Sequence, residues 1–369
     1  MLPQPPLPEG GAPGKAALGL LRGLRAHGID VRALAARQSF AVPGEVPADL
    51  PVEVVKVDPP TPWRARIGRL RRPRGELAAG VFAARVREEA REVDVVHLEE
   101  TDTAWCDEGV STPSLVHIHY LVRRDRSLGR PWEKRFRDTL EFALGERAAI
   151  RRHRYLVASS PLVAGALRRA APRADVVHAP LSLDPDLYRP APLDGPPLAG
   201  IVGTAAWPPT AAAMEKLVTR IWPPIHARVP DARLLVAGRG TERLGLPAVS
   251  GVEILGGLDS AREFIRRLSV LVFPLERGSG MKVKTLEAIA SGVPVVTTPA
   301  GAEGIEPSDG VVVHTDPADL APAAAELLSD PAARRGRGAA ARATFERHYS
   351  PETATVPLVE LYGRMKARR

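Results

Sequence analysis

Gly278, Ser279 and Gly280 stand between a run of buried-strand character, VLVFPL, and a helical run that carries Lys282, Lys284 and Glu287. That order of residue types suits an anion. Glycines let the main chain approach a ligand closely, and helix amides and the helix dipole then converge on its negative charge. The two lysines add counter-charge. Glu287 falls about 10 Å past Gly280 along a helix, with side chains leaning back toward the N-terminus, so a ribose beyond a bound diphosphate would be within its reach. The plainer alternative is that Lys284 and Glu287 form an exposed i,i+3 pair and the glycines a tight strand-to-helix turn.

A second set of candidates lies earlier. In SLVHIHYL, strand alternation sends His117 and His119 to the same face, and His119 is nearer the strand's carboxyl end. A neutral imidazole there could donate a hydrogen bond to a hydroxyl or relay a proton; the alternative is a satisfied histidine closing a strand. His97 in VVHLEE reads as structural, with Glu99 and Glu100 just after it as secondary candidates for acceptor binding. Gly10 and Gly11 precede an amphipathic helix. They do not make a P-loop, because the spacing to Gly14 is one residue short and Ala16 follows Lys15 where Ser or Thr is required.

The segment GSGMKVKTLEAIASGVPVV followed by AGAEGI resembles the donor-nucleotide segment of group 1, family 4-like glycosyltransferases with the GT-B fold. That family usually has two glutamates separated by seven residues; Glu287 matches the second, and Ser279 occupies the position of the first. The resemblance implies a retaining transfer from a nucleoside-diphosphate sugar to a glycan, lipid-linked or small-molecule acceptor, with no protein nucleophile. It implies that His119 approaches the donor sugar, that Gly10 and Gly11 meet donor phosphate or acceptor, and that Gly256 and Gly257 line the base pocket. The turn after the second domain's first strand, beginning at Gly203, lacks the family's usual arginine and lysine. Lys282 and Lys284 are then the expected cations, with Arg239 a weaker third. Asp184 and Asp186 have the spacing of a metal-binding pair, but Pro185 between them favours a turn. No metal or other cofactor is expected. Two other readings stay open: a nucleotide-sugar epimerase, for which only Glu99 and Glu100 offer a base, and an inactive nucleotide-sugar-binding relative.

The elements that would position these residues alternate in two rounds. Strands are expected at Asp30 to Ala35, Val52 to Val57, Asp94 to Leu98, Ser114 to His119 and Tyr155 to Ser159, then at Leu198 to Val202, Arg233 to Ala237, Val252 to Leu255, Val270 to Pro274, Pro294 to Thr297 and Val311 to Val313. Short Val/Leu-rich strands joined by helices imply an α/β protein of two doubly wound parallel sheets, with ligands beyond the strands' carboxyl ends. The expected division is an acceptor domain at residues 1–180, a Pro/Asp-rich linker at 181–197 and a donor domain at 198–350. By family resemblance the two domains face a cleft, and a last helix at 351–369 returns to the first domain. Little precedes the first helix that could serve as the central strand beyond Met1 and Leu2, so the first strand reads as truncated or only about three residues long.

A chain of 369 residues with 44% apolar and 25% charged residues suits two globular domains. Cys106 is the only cysteine, which excludes an internal disulfide and a thiolate metal site and favours a reducing, cytoplasmic setting. The net charge of +8 favours anionic partners. Trp63–Arg74 concentrates six arginines around Trp63, Ile67 and Leu70, which suits peripheral contact with an anionic membrane or, alternatively, a solvated helix face. Nucleic acid is not an expected partner, since no known module appears and aromatics are only 5%.

Overall fold

The computed structural model describes residues 1–38, 44–57, 72–126, 129–130 and 132–368. They form two compact units, Met1–Ser182 with Pro351–Arg369, and Leu183–Ser350. Most of the basic segment, residues 63–71, lies outside the described residues. Its last arginines are engaged within their own unit: Arg72 pairs with Glu108 at 2.5 Å, and Arg74 holds Asp102 through two hydrogen bonds of 2.9 and 2.6 Å.

Unit 1 is built on parallel strands. β1 (Ala33–Gln38) pairs with β2 (Val52–Val57), and β3 (Val96–Glu99), β4 (Ser114–Ile118), β5 (Tyr155–Ala158) and β6 (Asp175–His178) pair in that order. Two residues join the pieces. The Leu2 N–H donates to the Leu34 carbonyl at 2.8 Å, the Ala36 N–H to the Leu2 carbonyl at 3.0 Å, and the Glu99 N–H to the Met1 carbonyl at 3.0 Å. The central place, for which the sequence offered a strand either truncated or only about three residues long, is thus bridged by Met1 and Leu2. β1 starts three residues later than its apolar pattern suggests, because the Ile29 N–H turns back to the Leu24 carbonyl after Gly28 closes the preceding helix. β6 escaped the reading because DVVH offers only two apolar residues.

Helix α1 (Ala12–Ala26) begins with Pro13 in its first turn and turns Leu20 and Leu24 toward one face of the sheet. Against it lies the last helix, Pro351–Lys366, whose Leu358, Leu361 and Met365 join the same core. Close approach explains Gly23: a Cβ there would fall 2.2 Å from the Pro351 carbonyl oxygen. A second core, including Phe82, Leu98, Val116, Leu156 and Leu167, covers the opposite face.

Unit 2 contains a six-stranded parallel sheet of order β12-β11-β10-β7-β8-β9, with β7 Leu198–Val202, β8 Arg233–Ala237, β9 Val252–Gly256, β10 Val270–Phe273, β11 Val295–Thr297 and β12 Val311–Val313. The stretch expected to be a linker, 181–197, is docked on this unit from Leu183 onward. Arg334 donates to the carbonyls of Leu193 (3.1 Å) and Gly195 (3.2 Å), and Arg342 donates to that of Tyr188 (2.8 Å). Its Pro/Asp composition marked irregular backbone, and these arginines supply the partners that irregular backbone needs. Among the described residues no helix is long and apolar enough to cross a membrane.

Candidate functional site

In unit 2 the carboxyl ends of β7, β8, β9 and β10 carry the residues singled out by sequence. Gly203 follows β7, its N–H donating to the Ala237 carbonyl at 3.1 Å, and the Arg239 carbonyl after β8 accepts from Ala205 at 3.0 Å. Gly238 donates to the Gly256 carbonyl at 2.7 Å, which draws the β9 turn to the same place. The approach is so close that a Cβ on Gly238, already at φ +124°, would lie 1.8 Å from the Gly203 carbonyl oxygen. Arg239 is exposed beside Gly257, the nearest atom to a Cβ there being Arg239 Cγ at 3.9 Å.

After β10 the chain turns through Gly278 (φ +147°) and Gly280 (φ +72°), conformations that L side chains rarely adopt. Helix Val283–Ala290 then starts, with no side chain capping its first amides. Lys282 is therefore the N-cap residue and not part of the helix. Its Nζ donates to the Ser279 and Gly280 carbonyls at 3.1 and 2.6 Å, so it closes the turn on itself. Lys284 reaches one turn along and binds Glu287 Oε2 at 2.6 Å, while Tyr188 donates its hydroxyl to Oε1 at 3.2 Å. The exposed-pair alternative is corrected in one respect: Glu287 has 0% of its surface accessible. A ribose hydroxyl reaching this buried carboxylate has to displace a partner already in place, such as Lys284 or Tyr188.

In unit 1, β3 and β4 lie side by side with Glu99 opposite His117. Alternation puts His97 and Glu99 on one face of β3, and His117 and His119 on the facing side of β4. Three imidazoles consequently meet around one buried carboxylate. Glu99 Oε1 is 2.7 Å from His97 Nε2 and 3.0 Å from His117 Nδ1, and Oε2 is 2.7 Å from His119 Nε2. On the other side of His119, Nδ1 lies 3.4 Å from Glu100 Oε1. Glu100 holds φ +63°, an uncommon conformation for a non-glycine residue. The His119 main chain is fixed by Ser159, whose hydroxyl donates to its carbonyl at 2.7 Å.

Charge follows from this geometry. Burial opposes ionisation of Glu99, but His117 and His119 outweigh it and hold its carboxyl well below the usual range. Burial likewise opposes a charge on His119, yet Glu99 and Glu100 raise its pKa to about 10. His117, buried and next to His119, is lowered to about 4. The expectation of a neutral imidazole at His119 thus meets carboxylates near both of its nitrogens, which favour the charged ring. His97, Glu99 and His117 bring ligand-type atoms within 4.8 Å of one another, the one such group among the described residues. Tyr362 lies 2.5 Å from His97 Nδ1 and Glu99 accepts from His117 Nδ1, so the group reads as a proton network.

Two matches run in tandem along the chain. Residues 11–182 match the family described as glycosyl transferase 4-like domain, and residues 196–330 match that described as glycosyl transferases group 1. The chain belongs to the group 1, family 4-like glycosyltransferases. It is 32% identical over 201 residues to the GDP-mannose-dependent monoacylated alpha-(1-6)-phosphatidylinositol monomannoside mannosyltransferase of Corynebacterium glutamicum, covering 47% of this chain and 52% of that protein. It is 31% identical over 140 residues to the phosphatidyl-myo-inositol mannosyltransferase of Propionibacterium freudenreichii subsp. shermanii, covering 36% of each. The chain thus spans about half and about a third of the length of these curated relatives. Sucrose-phosphate synthase from Thermosynechococcus elongatus superposes with a TM-score of 0.71 at 17% identity, over 97% of this chain and 94% of that one. The trehalose-6-phosphate synthase OtsA gives 0.65 at 11% identity, over 96% and 95%. These likenesses show the fold, GT-B.

In this family 4-like chain the sequence-chosen residues fall in two places. Gly203, Arg239, Gly256, Gly257, Gly278, Ser279, Gly280, Lys282, Lys284 and Glu287 belong to unit 2, and His119, Gly10 and Gly11 to unit 1. Gly11 is the N-cap of α1, which no side chain caps. Asp184 accepts from the Asp186 N–H at 3.2 Å and caps a short turn over Pro185–Leu187, the arrangement that Pro185 suggested. Sequence reasoning missed Tyr188, which lay inside the supposed linker; a lone aromatic among Pro and Asp was its signal. Glu99, named with Glu100 as a secondary candidate for acceptor binding, is buried and faces three histidines.

Proposed function

We propose that this chain is a retaining, metal-independent glycosyltransferase that moves a sugar from a nucleoside-diphosphate sugar to a hydroxyl acceptor. The observation that carries the proposal is the turn at Gly278–Gly280 leading into an uncapped helix with Lys284 anchored on buried Glu287. Such a turn meets a diphosphate with main-chain amides, and the lysine opposes the charge that develops as the diphosphate departs. Glu287 keeps Lys284 in place and offers its other oxygen, now held by Tyr188, to the ribose. His119 orients the sugar, Gly256 and Gly257 flank the base, and the acceptor approaches on the leaving group's face, so the anomeric configuration is kept.

The Corynebacterium relative is GDP-mannose-dependent and both relatives are mannosyltransferases of phosphatidylinositol lipids, which favours GDP-mannose as donor and an inositol-containing lipid as acceptor. Such an acceptor would bring the chain to a membrane surface, where residues 63–71 and their arginines would add attraction to anionic lipid. The experiment is incubation of the full chain with GDP-mannose or UDP-glucose in excess EDTA, with and without phosphatidylinositol vesicles, following nucleoside-diphosphate release and the anomeric configuration of the product by NMR. Release stimulated by acceptor in EDTA supports the proposal. Loss on chelation restored by manganese would contradict metal independence, and an isomerised donor would identify an epimerase. Donor binding with no turnover would leave a binding protein.

A further inference from the structure

The proposed function leaves two carboxylates, buried Glu99 and partly buried Glu100, without a task, although a carboxylate taken out of water is costly unless its charge is answered. An ionised carboxylate only accepts hydrogen bonds, and a neutral imidazole has a single N–H. Of the histidines around Glu99, His119 alone has a carboxylate oxygen near both ring nitrogens, at 2.7 Å and 3.4 Å. His117 makes one hydrogen bond, Nδ1 to Glu99 at 3.0 Å, which a neutral ring satisfies, and its Nε2 is buried without a partner. His97 meets the Tyr362 hydroxyl through Nδ1, and its Nε2, 2.7 Å from Glu99, makes no hydrogen bond, so it has a carboxylate at one nitrogen only. The Glu99 oxygen lies out of line with the His119 Nε2–H, so attraction between opposite charges dominates that contact.

We propose that Glu99 is a positioning residue that holds His119 as a fixed imidazolium, steered from its other side by Glu100, so that His119 serves the transfer as a cation and hydrogen-bond donor and not as a base. The proposal rests on the glycosyl-transfer reading for its consequence, but not for the charge itself. Among the described residues, charged and titratable groups face the pair from several elements. On Glu99 these are His97 and the Met1 amino group beside β3, His117 and His119 from β4, and Tyr362 from the last helix. On His119 they are Glu99, Glu100, His97 across Glu99, and the His117 ring, whose centroid is 4.6 Å away in an edge-on contact. Glu100 is the exchangeable partner. Its contact is the longer one and its side chain is 15% exposed, so a sugar or phosphate oxygen can take its place on Nδ1 while Glu99 stays behind the ring.

The test uses the full chain labelled with 15N-histidine, with the His119 signals assigned by their absence from His119→Gln. At about pH 7.5 both His119 nitrogens are expected in the protonated range, and they should stay there to about pH 9, whereas an ordinary histidine has lost its proton by then. In Glu99→Gln the same ring should be neutral at about pH 7.5, and Glu99→Asp should restore the charge. With an active donor, Glu99→Gln is expected to lower kcat on the order of 100-fold with little change in donor KM. Its residual activity should rise as the pH falls from about 8 to 6, as His119 regains its proton. A purely structural Glu99 would give a loss with no change in pH profile. A neutral His119 in the parent, or an unchanged charge in Glu99→Gln, overturns the proposal. If Glu99→Gln does not fold, the titration of the parent and of Glu100→Gln still decides, since the parent must hold the charge and the latter must keep most of it. If the chain transfers no sugar, the spectra remain decisive while the function reading fails.

Discussion

Unit 2 presents its candidate ligand groups mostly through main chain, with glycines at the ends of four adjacent strands and a helix start at Val283. Unit 1 presents side chains, with His119, Glu99 and Glu100 drawn from two neighbouring strands and the turn that follows one of them. Main-chain amides carry no net charge to desolvate, so the glycine turns need only close packing. A buried carboxylate and imidazolium each oppose burial and persist because they answer each other. The first kind of site is fixed by shape and the second by charge balance, and perturbation should separate them.

The largest effect is expected where shape alone decides. Gly238→Ala sets a Cβ against the Gly203 carbonyl oxygen at positive φ and should destabilise the fold by about 3 kcal/mol or more. Gly257→Ala on the next turn, with its nearest neighbour 3.9 Å away, should cost less than about 1 kcal/mol. Thermal unfolding of the two variants side by side checks this, and equal losses would refute the close-packed account of these turns.

Charge balance within unit 2 comes next. Lys284→Ala takes the paired cation away from buried Glu287 and should cost about 3 kcal/mol of stability. Lys284→Ala combined with Glu287→Gln should recover part of that loss, because the uncompensated charge is gone. Denaturant titration of the single and double variants gives the coupling. Additive losses would mean that the ion pair is incidental.

A smaller, pH-dependent effect belongs to Glu146 in unit 1. Burial raises its pKa to about 7, despite the hydrogen bond that it accepts from the Val122 N–H at 2.7 Å. Because the folded pKa lies above the unfolded one, its contribution is greatest at low pH and is lost as pH rises from the ordinary carboxylate range through about 7. Glu146→Gln should therefore be more stable than the parent at about pH 8 by on the order of 1–3 kcal/mol, with the gap closing toward pH 5. A gap that does not vary with pH would show that this carboxyl titrates normally.

The same contrast explains what was legible in the sequence. β10 of unit 2 is a continuous apolar run, VLVF, and the turn after it is a contiguous motif, so Gly278, Lys284 and Glu287 could be found by reading along the chain. The partners of His119 could not, because Glu99 becomes its neighbour only through the register of β3 against β4, which no local pattern encodes. Tyr188 was hidden for a similar reason: composition marked its surroundings as irregular, but irregular backbone docked by Arg334 and Arg342 is part of the unit. The Met1–Leu2 bridge was too short to carry a period of any kind.

The central claim is that the turn from Gly278 to Lys284 binds a nucleoside diphosphate without metal. Calorimetric titration of GDP into the full chain in excess EDTA tests it most directly, with Lys284→Ala for comparison. The account predicts measurable binding to the parent in EDTA and a loss of about 1–3 kcal/mol, roughly tenfold to a hundredfold, in a folded Lys284→Ala. Binding that vanishes in EDTA and returns with manganese, or equal affinity in the two proteins, would contradict it.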